Sequence, residues 1–323
     1  MYDLIAIGDT KLDTFVLLNE ADGQCTLNMP ACQLCLAYGE KIVVDVVASQ
    51  IAGTAPNVAT GLARMGMKTA VISNMGADGT YQMAVETLKC ENVVTKYLHQ
   101  IHSEPSSYSV VLNYKGEKTL LTSHIRHAYR LPKPLPASKW LYVSEMGSGY
   151  ENLYRQVLAR AKANNIHVVM NPGTIQIAER KHFLFDLLKK TFVLFVNLEE
   201  AQRITDEKTL EIHHLATLLY KMGPRQVVIT DGKNGAYAFG GEKLHYCPIY
   251  PGRAVEATGA GDAFSTGCLG ALMNNQPIDE ALRWGAVNSA SVVGHVGPTK
   301  GLLSLHQIRS RLKSHASFKT VEL

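Results

Sequence analysis

The feature of this sequence that most constrains its fold is a repeated alternation between short apolar runs and longer amphipathic segments. The short runs have the length of buried strands, and the segments between them carry apolar residues at helical spacing. Strands are predicted at residues 2–8, 68–73, 140–144, 167–170, 192–196 and 226–230, and helices at residues 56–65, 79–89, 151–163, 198–204 and 209–222. Repeated units of this kind predict an α/β fold with a mostly parallel sheet that helices cover on both faces.

Two stretches interrupt this alternation and have the pattern of strands joined by turns, with no helix between them. They comprise residues 12–18 with 34–47, and residues 108–122 around a turn at 115–117. A small antiparallel sheet is therefore predicted apart from the main one. Such a sheet cannot bury both of its faces alone, so one face is expected to cover the mouth of the parallel sheet as a lid.

The chain is expected to form one domain over residues 1–323, with the lid built from roughly residues 11–50 and 96–126. Its last part predicts helices at residues 261–273, 278–293 and 304–313, followed by a frayed tail. The sequence contains no internal repeat, low-complexity tract or long linker, which favours one compact body.

Composition and charge exclude several classes of function. The 32 lysines and arginines exceed the 28 aspartates and glutamates by a net charge of +4, spread without blocks, which does not indicate binding to nucleic acid. The longest apolar candidate, residues 42–51, contains Asp45 and Gln50 and is shorter than the ~18–20 residues that span a bilayer. The first residues lack the basic start and the cleavage site of a secretion signal. We therefore expect a cytoplasmic protein without a membrane partner.

The six cysteines are too few for a dense disulfide framework in a chain of this length, which favours a reducing compartment. Cys32 and Cys35 form a C-x-x-C pair. A metal site would need a second ligand pair at short spacing, and a redox site would need a helix directly after a strand. Two cysteines in a strand region are the simpler interpretation.

The segment Ala257-Thr258-Gly259-Ala260-Gly261-Asp262, followed by an apolar helical run, is the strongest chemical signal in the sequence. Glycines around an alanine let the backbone approach an anion closely, and the N–H groups that open a helix point outward with the positive end of its dipole. An aspartate in the first turn is commonly only a helix cap. Beside an anion hole, however, its carboxylate can take a proton from a hydroxyl group while the hole holds a transferring phosphoryl group.

This motif and a second segment near the N-terminus resemble the two signatures of the ribokinase-like, or PfkB, family of carbohydrate and nucleoside kinases. The second segment is Ala52-Gly53-Thr54-Ala55-Pro56-Asn57, with Gly66 and Gly76 continuing its spacing. The resemblance runs in the family's order from residue 2 to residue 301. It implies a three-layer α/β/α fold with a small β-sheet lid, and ATP-dependent transfer of the γ-phosphoryl group to an alcohol with the help of Mg²⁺.

The resemblance also implies roles for individual residues. The catalytic set would be Asp262 as general base, with Gly259, Ala260 and Gly261 as the anion hole. The substrate would be bound by Asp13, Gly53 and Asn57. The nucleotide would be contacted by Asn197, Glu200, Thr230, Gly232, Gly235 and Asn288, and Glu200 would also hold Mg²⁺ through water. Structural alternatives exist for several of them: a capping box at Asn197 and Glu200, a hairpin turn at residues 230–235, and a polar surface position at Asn288.

A monovalent cation is a further expectation. Family members that use K⁺ commonly have Asp, Thr and Thr before Gly-Ala-Gly-Asp, whereas this chain has Glu256, Ala257 and Thr258. Glutamate keeps the charge but moves its carboxylate about one methylene further out. A K⁺ site at Glu256 and Thr258 is therefore one alternative, and a kinase that does not use K⁺ is the other.

The acceptor is the least determined part of the expected activity. Candidate side chains from the predicted lid and nearby strands are Tyr108, Asn113, Arg126 and Asn171, which suit a sugar ring but could also border a nucleoside base. A simple hexose or pentose ranks first, a nucleoside second, and a non-catalytic regulator that binds either ligand third. An oxidoreductase is excluded because the first strand is not followed by G-x-G-x-x-G. The apolar residues 42–47 favour a homodimer through the lid.

Overall fold

The computed structural model describes residues 1–18, 24–25, 34–36, 38–114, 117–164 and 166–323. Its strands are β1 (Tyr2–Ile7), β2 (Lys11–Leu18), β3 (Gln24–Cys25), β4 (Leu34–Cys35), β5 (Val44–Ala52), β6 (Thr69–Gly76), β7 (Val94–Ile101), β8 (Ser107–Tyr114), β9 (Glu117–Ser123), β10 (Ser138–Val143), β11 (His167–Met170), β12 (Thr191–Asn197), β13 (Gln226–Thr230), β14 (Ala236–Phe239), β15 (Leu244–Cys247) and β16 (Val321–Glu322). Its helices are α1 (Thr54–Arg64), α2 (Gly79–Cys90), α3 (Glu151–Asn164), α4 (Thr174–Glu179), α5 (His182–Leu188), α6 (Leu198–Thr205), α7 (Ile212–Lys221), α8 (Ala260–Met273), α9 (Ile278–Val293) and α10 (Leu305–Ser314).

Most of the described strands form one large sheet in the order β16-β15-β14-β13-β12-β11-β10-β1-β6-β7. Neighbouring strands from β13 to β7 are parallel, and β14, β15 and β16 extend one edge as antiparallel strands. Each strand predicted from an apolar run lies in the parallel part. The expected α/β fold with a mostly parallel central sheet is confirmed.

Helices cover both faces of the large sheet. Along β1, Leu4 and Ala6 face the core that α1, α8 and α9 complete, while Ile5 and Ile7 face the core that α3, α5 and α7 complete. Successive residues of a strand point to opposite faces, so an apolar strand contributes to two cores at once. These three layers leave the ends of the parallel strands open to carry functional residues.

Four strands form a second sheet, the small sheet, in the order β5-β2-β8-β9. β2 pairs with β5 and β8 pairs with β9 in antiparallel fashion, but β2 and β8 are parallel, so the prediction of a purely antiparallel sheet is wrong at its centre. The reason is that β2 and β8 follow β1 and β7, which run in the same direction in the large sheet. Residues 96–101 belong to β7 of the large sheet, which shortens the predicted lid range 96–126 at its start.

Smaller parts of the chain complete this picture. The C-terminal tail is not frayed, because Val321–Glu322 pairs with β15 as strand β16. Cys32 of the C-x-x-C pair, and residues 115 and 116 of the predicted turn, lie outside the described residues, while Cys35 is an exposed free thiol. Within the part of the chain that the structure describes, no helix combines the length and the apolar character needed to cross a membrane.

Candidate active site

The candidate residues collect at one edge of the large sheet, where its parallel strands end. Asp9 follows β1, Glu145 follows β10, Asn171 follows β11, and Asn197 ends β12. Parallel strands end at the same edge, so side chains from distant parts of the sequence meet there. The small sheet reaches this edge as well, because Nζ of Lys11 in β2 donates to Oε1 of Glu145 at 3.0 Å.

The Gly-Ala-Gly-Asp segment forms the start of α8. Gly259 precedes the helix with a φ of +75°, and a Cβ at this position would lie 2.5 Å from Cβ of Pro298, so the backbone requires glycine here. Gly261 is exposed, and a Cβ there would meet no atom within 4 Å, which leaves open space over the first turn. The N–H of Ala260 donates to the carbonyl of Ala257, whereas an N–H group in the first turn of a helix has no partner within the helix and is free to bind an anion.

Asp262 lies in the first turn of α8 with its carboxylate against Asn57 of α1. Nδ2 of Asn57 donates to Oδ2 of Asp262 at 2.6 Å. Burial raises the pKa of Asp262 to about 6, an effect that the Asn57 hydrogen bond opposes and the charge of Glu145 reinforces. Such a carboxylate is charged at neutral pH and has a pKa close enough to that pH to accept a proton from a hydroxyl group.

Asp13 and Asn57 each carry a buried oxygen with no partner. Both side chains are 3% exposed, and Oδ1 of each has no hydrogen-bond partner among the described residues. Buried polar atoms are normally hydrogen-bonded, so these two acceptors indicate a place for the donor groups of a ligand. Burial raises the pKa of Asp13, although Lys11 and Ser109 beside it oppose that change.

Gly53 brings Asn57 to this position. It precedes α1 with a φ of +118°, and its carbonyl accepts the N–H of Asn57 at 3.0 Å. A Cβ at Gly53 would lie 2.2 Å from the carbonyl oxygen of Asp9, so any other residue would push α1 away from the segment that follows β1. The predicted substrate-binding glycine therefore has a structural reason of its own.

Lys11 and Glu145 form an ion pair beside Asp13 that the sequence analysis missed. Burial alone would lower the pKa of Lys11, but Glu145 and Asp13 raise it; burial alone would raise the pKa of Glu145, but Lys11 and His124 lower it. Two signals could have found them. Lys11 stands two residues before Asp13 and so shares its strand face, and Glu145 follows the end of a parallel strand.

Asn197 and Glu200 form the capping box that begins α6. Oδ1 of Asn197 accepts the N–H of Glu200 at 2.8 Å, and Oε2 of Glu200 accepts the N–H of Asn197 at 2.9 Å, which confirms the capping interpretation. Burial raises the pKa of Glu200 to about 7, the Asn197 hydrogen bond lowers it in part, and the charges of Glu145 and Asp262 raise it further. Glu200 therefore shares the electrostatic field of Asp262.

A cleft of about 430 Å³ opens beside the start of α8. Predicted nucleotide residues of the β13–β14 hairpin line it together with the helix start: Thr230, Gly232, Gly235, Ala260 and Gly261. Its remaining walls include residues that the sequence analysis did not single out, among them Phe264, Ala286, Ser289, Ala290 and Val293. Most of these side chains are small or apolar, which suits a flat ring system.

Asn288 does not line this cleft. Its side chain is fully buried in α9, where Nδ2 donates to the carbonyl of Ala263 at 2.7 Å and Oδ1 accepts the N–H of Leu303 at 2.9 Å. Both ends of the amide are thus used to tie α9 to α8 and to the segment after residue 300. The expectations of a nucleotide contact and of a surface position are corrected, and Ser289 is the neighbour that lines the cleft.

Glu256 and Thr258 lie in the loop that leads into α8, and both contact Lys118 of β9. Nζ of Lys118 donates to Oγ1 of Thr258 at 3.1 Å and lies 3.7 Å from Oε1 of Glu256. No group of three or more His, Cys, Asp and Glu side chains within the described ranges is arranged to hold a metal ion. The position predicted for a monovalent cation is thus next to an ammonium group of the chain itself, that of Lys118.

The four side chains predicted to border an acceptor lie in different surroundings. Tyr108 is 39% exposed and adjoins Ser109, the buried neighbour of Asp13, so it lies on the other face of β8. Arg126 is exposed, and the amide of Asn171 donates to the carbonyl of Phe195 at 2.9 Å. Asn113 lies opposite Lys118 across the β8–β9 pair.

Sequence comparison relates this chain to kinases. The sequence model described as pfkB family carbohydrate kinase matches residues 20–304. An ATP-dependent 6-phosphofructokinase from Thermoanaerobacterium thermosaccharolyticum is 23% identical over 320 residues, which cover 95% of this chain and 96% of the relative. A cytidine kinase from Thermococcus kodakarensis is 24% identical over 309 residues, which cover 91% of this chain and 96% of the relative.

Structure comparison finds the same architecture. Arabidopsis thaliana ribokinase complexed with ribose and ATP matches with a TM-score of 0.78 and 21% identity, over 97% of this chain and 99% of that chain. At this identity the likeness shows the fold: a large, mostly parallel sheet between helices, with a separate smaller sheet.

Proposed function

The chain belongs to the pfkB family of carbohydrate kinases, and we propose that it transfers the γ-phosphoryl group of ATP to a hydroxyl group of a small sugar, a hexose or a pentose. The observation that carries this proposal is the position of Asp262, bonded to Asn57 at the start of α8 and next to Gly261 of the cleft wall. This arrangement brings together a base, an anion site and acceptors for hydroxyl groups, which phosphoryl transfer to an alcohol requires.

Asp262 acts on the acceptor. Its carboxylate takes the proton of the acceptor hydroxyl as the new O–P bond forms, and the bond between the γ-phosphorus and the bridging oxygen of the leaving ADP breaks. Asn57 holds the carboxylate in place through its 2.6 Å hydrogen bond. The transition state of phosphoryl transfer is loose, so positioning and electrostatic stabilisation supply most of the rate.

The start of α8 stabilises the transferring group. Its free N–H groups and the positive end of the helix dipole face the anion, and the open space over Gly261 lets a phosphate approach. The hairpin residues Thr230, Gly232 and Gly235 extend along the nucleotide, and the apolar wall of the cleft takes its base. The cleft therefore serves as the ATP site.

Mg²⁺ fits this site as an ion held mainly by water and phosphate oxygens. The described residues offer no protein cage for a metal, whereas Glu200 stands in the negative field of Glu145 and Asp262. Mg²⁺ keeps several waters and commonly binds one or two carboxylates with substrate phosphates. Glu200 would hold the ion, and Asn197 would orient its carboxylate. When bound, Mg²⁺ neutralises part of the phosphate charge.

Replacing Glu200 with glutamine is expected to raise the Mg²⁺ concentration needed for half-maximal activity by about tenfold, while the KM of the acceptor changes little. Glutamine keeps an oxygen for the N–H of Asn197, so the capping box survives and α6 stays folded. Titration of initial rates with Mg²⁺ measures the effect. Glu199→Gln is the matched control, because Glu199 is exposed and pairs only with Arg203 in the described contacts. An unchanged titration for Glu200→Gln would leave this residue with its capping role alone.

A sugar is the acceptor that the surroundings of Asp13 favour. The side chains beside it, Lys11, Ser109 and Glu145, are polar or charged. The unpartnered oxygens of Asp13 and Asn57 suit two vicinal hydroxyl groups. A nucleoside would also need an apolar or aromatic slot for its base, and Tyr108 lies on the wrong face to form one. A nucleoside stays the second candidate because a cytidine kinase is among the relatives.

An ADP-release assay over a panel of sugars and nucleosides tests the proposed function. We expect free sugars such as fructose or ribose to give a higher kcat/KM than adenosine, inosine or cytidine. If any nucleoside exceeds every sugar by about tenfold, the nucleoside kinase becomes the better assignment. If no member is phosphorylated but sugars or ATP bind, the chain is a binding regulator instead.

A homodimer through the small sheet is also proposed. Apolar side chains are unusually exposed there: Leu17, Val43, Val46, Val47, Tyr108, Leu120 and Leu121. By strand register, Val46, Tyr108 and Leu121 lie on the face opposite Asp13, and exposed apolar side chains on one face of a sheet indicate an interface. We expect solution scattering at micromolar concentration to give a dimer mass, and Val46→Glu to give a monomer because a charge would be buried. Val321→Glu, at the far edge of the large sheet, should leave the dimer intact. A monomeric wild-type chain would refute the proposal.

We also propose a cytoplasmic location, because ATP serves as the phosphoryl donor.

A further inference from the structure

Lys118 connects the small sheet to the start of α8. It lies on β9 of the small sheet, and its ammonium group donates to Oγ1 of Thr258 at 3.1 Å and lies 3.7 Å from Oε1 of Glu256. The side chain of Glu256 is 3% exposed and that of Lys118 is 28% exposed. This ion pair is therefore shielded from water on its acidic side, where an unpaired charge would be costly.

The carboxylate of Glu256 fixes the backbone around it. Oε1 accepts the N–H of Thr258 at 2.6 Å, and Oε2 accepts the N–H of Gly297 at 3.2 Å. Thr258 is followed directly by Gly259, which packs against Pro298, the residue after Gly297. The ammonium group of Lys118 thus compensates the charge of the carboxylate that ties the loop before α8 to the segment at Gly297 and Pro298.

A second residue of the small sheet contacts the same region. Gln50 of β5 lies so close to Gly297 that a Cβ there would be 1.9 Å from Nε2 of Gln50. Gln50 is also the register partner of Asp13 in β2. The face of the small sheet that carries Asp13 therefore contacts two segments: Lys118 contacts the loop before α8, and Gln50 contacts the segment after α9 at Gly297.

The side-chain oxygens Oε1 of Glu256 and Oγ1 of Thr258 are not available to a K⁺ ion in this arrangement. Both already contact one ammonium group, and a second cation beside it would meet like-charge repulsion at a shielded site. The residues present do not fit K⁺, and no step of the reaction is assigned to it.

We propose that Lys118 is a positioning residue whose ammonium group takes the place of a monovalent cation in the loop before α8. It holds the small sheet against the start of α8, and activity therefore needs no added K⁺. This inference rests on the proposed kinase function. In this respect the chain differs from a kinase that binds a dissolved monovalent cation at the same place. The small sheet then carries both the acceptor contact at Asp13 and the charge that shapes the anion site.

The test measures initial rates of the full chain against KCl, with tetramethylammonium chloride keeping the ionic strength constant. The wild-type rate is expected to be independent of K⁺. Lys118→Ala should lower kcat by about tenfold or more, because Glu256 loses its compensating charge, and K⁺, ammonium or ethylammonium should restore much of that loss. Lys118→Met, which keeps the apolar stem, should behave in the same way. Lys139→Ala is the control, since Lys139 forms a surface pair with Asp3.

A second measurement does not depend on the acceptor or on activity. Hydrogen exchange of the backbone at residues 255–261 should be faster in Lys118→Ala and should slow again when ammonium or K⁺ is added. If the wild type phosphorylates nothing, the proposed function fails while this readout still tests Lys118. The inference is overturned if K⁺ stimulates the wild type, if Lys118→Ala retains full activity with unchanged exchange, or if no cation rescues either variant, because the lysine then has a structural role only.

Discussion

Replacing Asp262 with asparagine is expected to lower kcat by about 10²- to 10⁴-fold while the affinity for ATP stays within a few fold. Asparagine cannot accept the proton of the acceptor hydroxyl, but it keeps an oxygen for the 2.6 Å hydrogen bond from Asn57. The fold and the cleft should therefore survive, and the loss should fall on the chemical step. Single-turnover rates and calorimetric titration with ATP separate the two quantities.

Asp279→Asn is the matched control for this substitution. Asp279 also lies in the first turn of a helix, α9, so it shares the interaction with the helix dipole without contacting the site. The control should retain wild-type kcat. An Asp262→Asn variant with most of its activity left would contradict the assignment of the base and leave Asp262 as a helix cap.

The pH dependence of the wild-type enzyme gives a second readout of the same base. Burial raises the pKa of Asp262 to about 6, so the carboxylate is charged above that pH and protonated below it. With Mg²⁺ at a saturating concentration, we expect kcat/KM to fall about tenfold per unit as the pH drops below 6. The Asp262→Asn variant should lack this limb. The same limb in the variant would mean that another group titrates.

Replacing Asp13 with alanine is expected to lower kcat/KM, with a loss of transition-state stabilisation of ~2 to 4 kcal/mol, because the charge-assisted hydrogen bonds to the acceptor hydroxyls are lost. Its Oδ1 is buried without a protein partner, so the substrate is the group that satisfies it. The loss should be similar for every sugar that carries the same diol. Steady-state kinetics over the sugar panel measures it.

Protein stability should not follow activity in this variant. Burial raises the pKa of Asp13 above its ordinary value of 3.8, so the charged carboxylate opposes folding at neutral pH, an effect that vanishes below that ordinary value. Asp13→Ala should therefore unfold at the same or a higher temperature than the wild type. Thr14→Ala, at the next residue of β2 and on its other face, is the control with a small kinetic effect, because Thr14 pairs with Ser49 in an exposed position. A loss of activity that tracks a loss of thermal stability would argue for a structural role of Asp13.

Much of the fold could be predicted from the sequence because the signals are local. The strands at residues 167–170 and 226–230 and the helix at residues 278–293 are found with the predicted bounds. The start of α8 at Gly259 and Ala260, and the capping box of α6, also follow from short segments. Strand length, helical spacing and capping depend on residues within one turn or one strand, and these residues are close together in the sequence.

The residues on the acceptor side of the site could not be predicted, because they come from segments that are distant in the sequence. The sequence analysis did not select Lys11, Glu145 or Lys118. It did select Asn288, which is buried and connects two helices by a hydrogen bond. A single sequence does not state which strand will lie beside which, or in what register, and the parallel pairing of β2 with β8 was predicted wrongly for that reason.

The sequence by itself therefore determined the α/β layers, the helix that presents Asp262, and the family of kinases to which the chain belongs. Only the tertiary structure decided which charges surround that carboxylate. Local periodicity sets secondary structure, but burial and charge at a site come from side chains that are distant in sequence and are brought together by strand order. The raised pKa of Asp262, the unpartnered oxygens of Asp13 and Asn57, and the ammonium group of Lys118 under the anion site all have that origin.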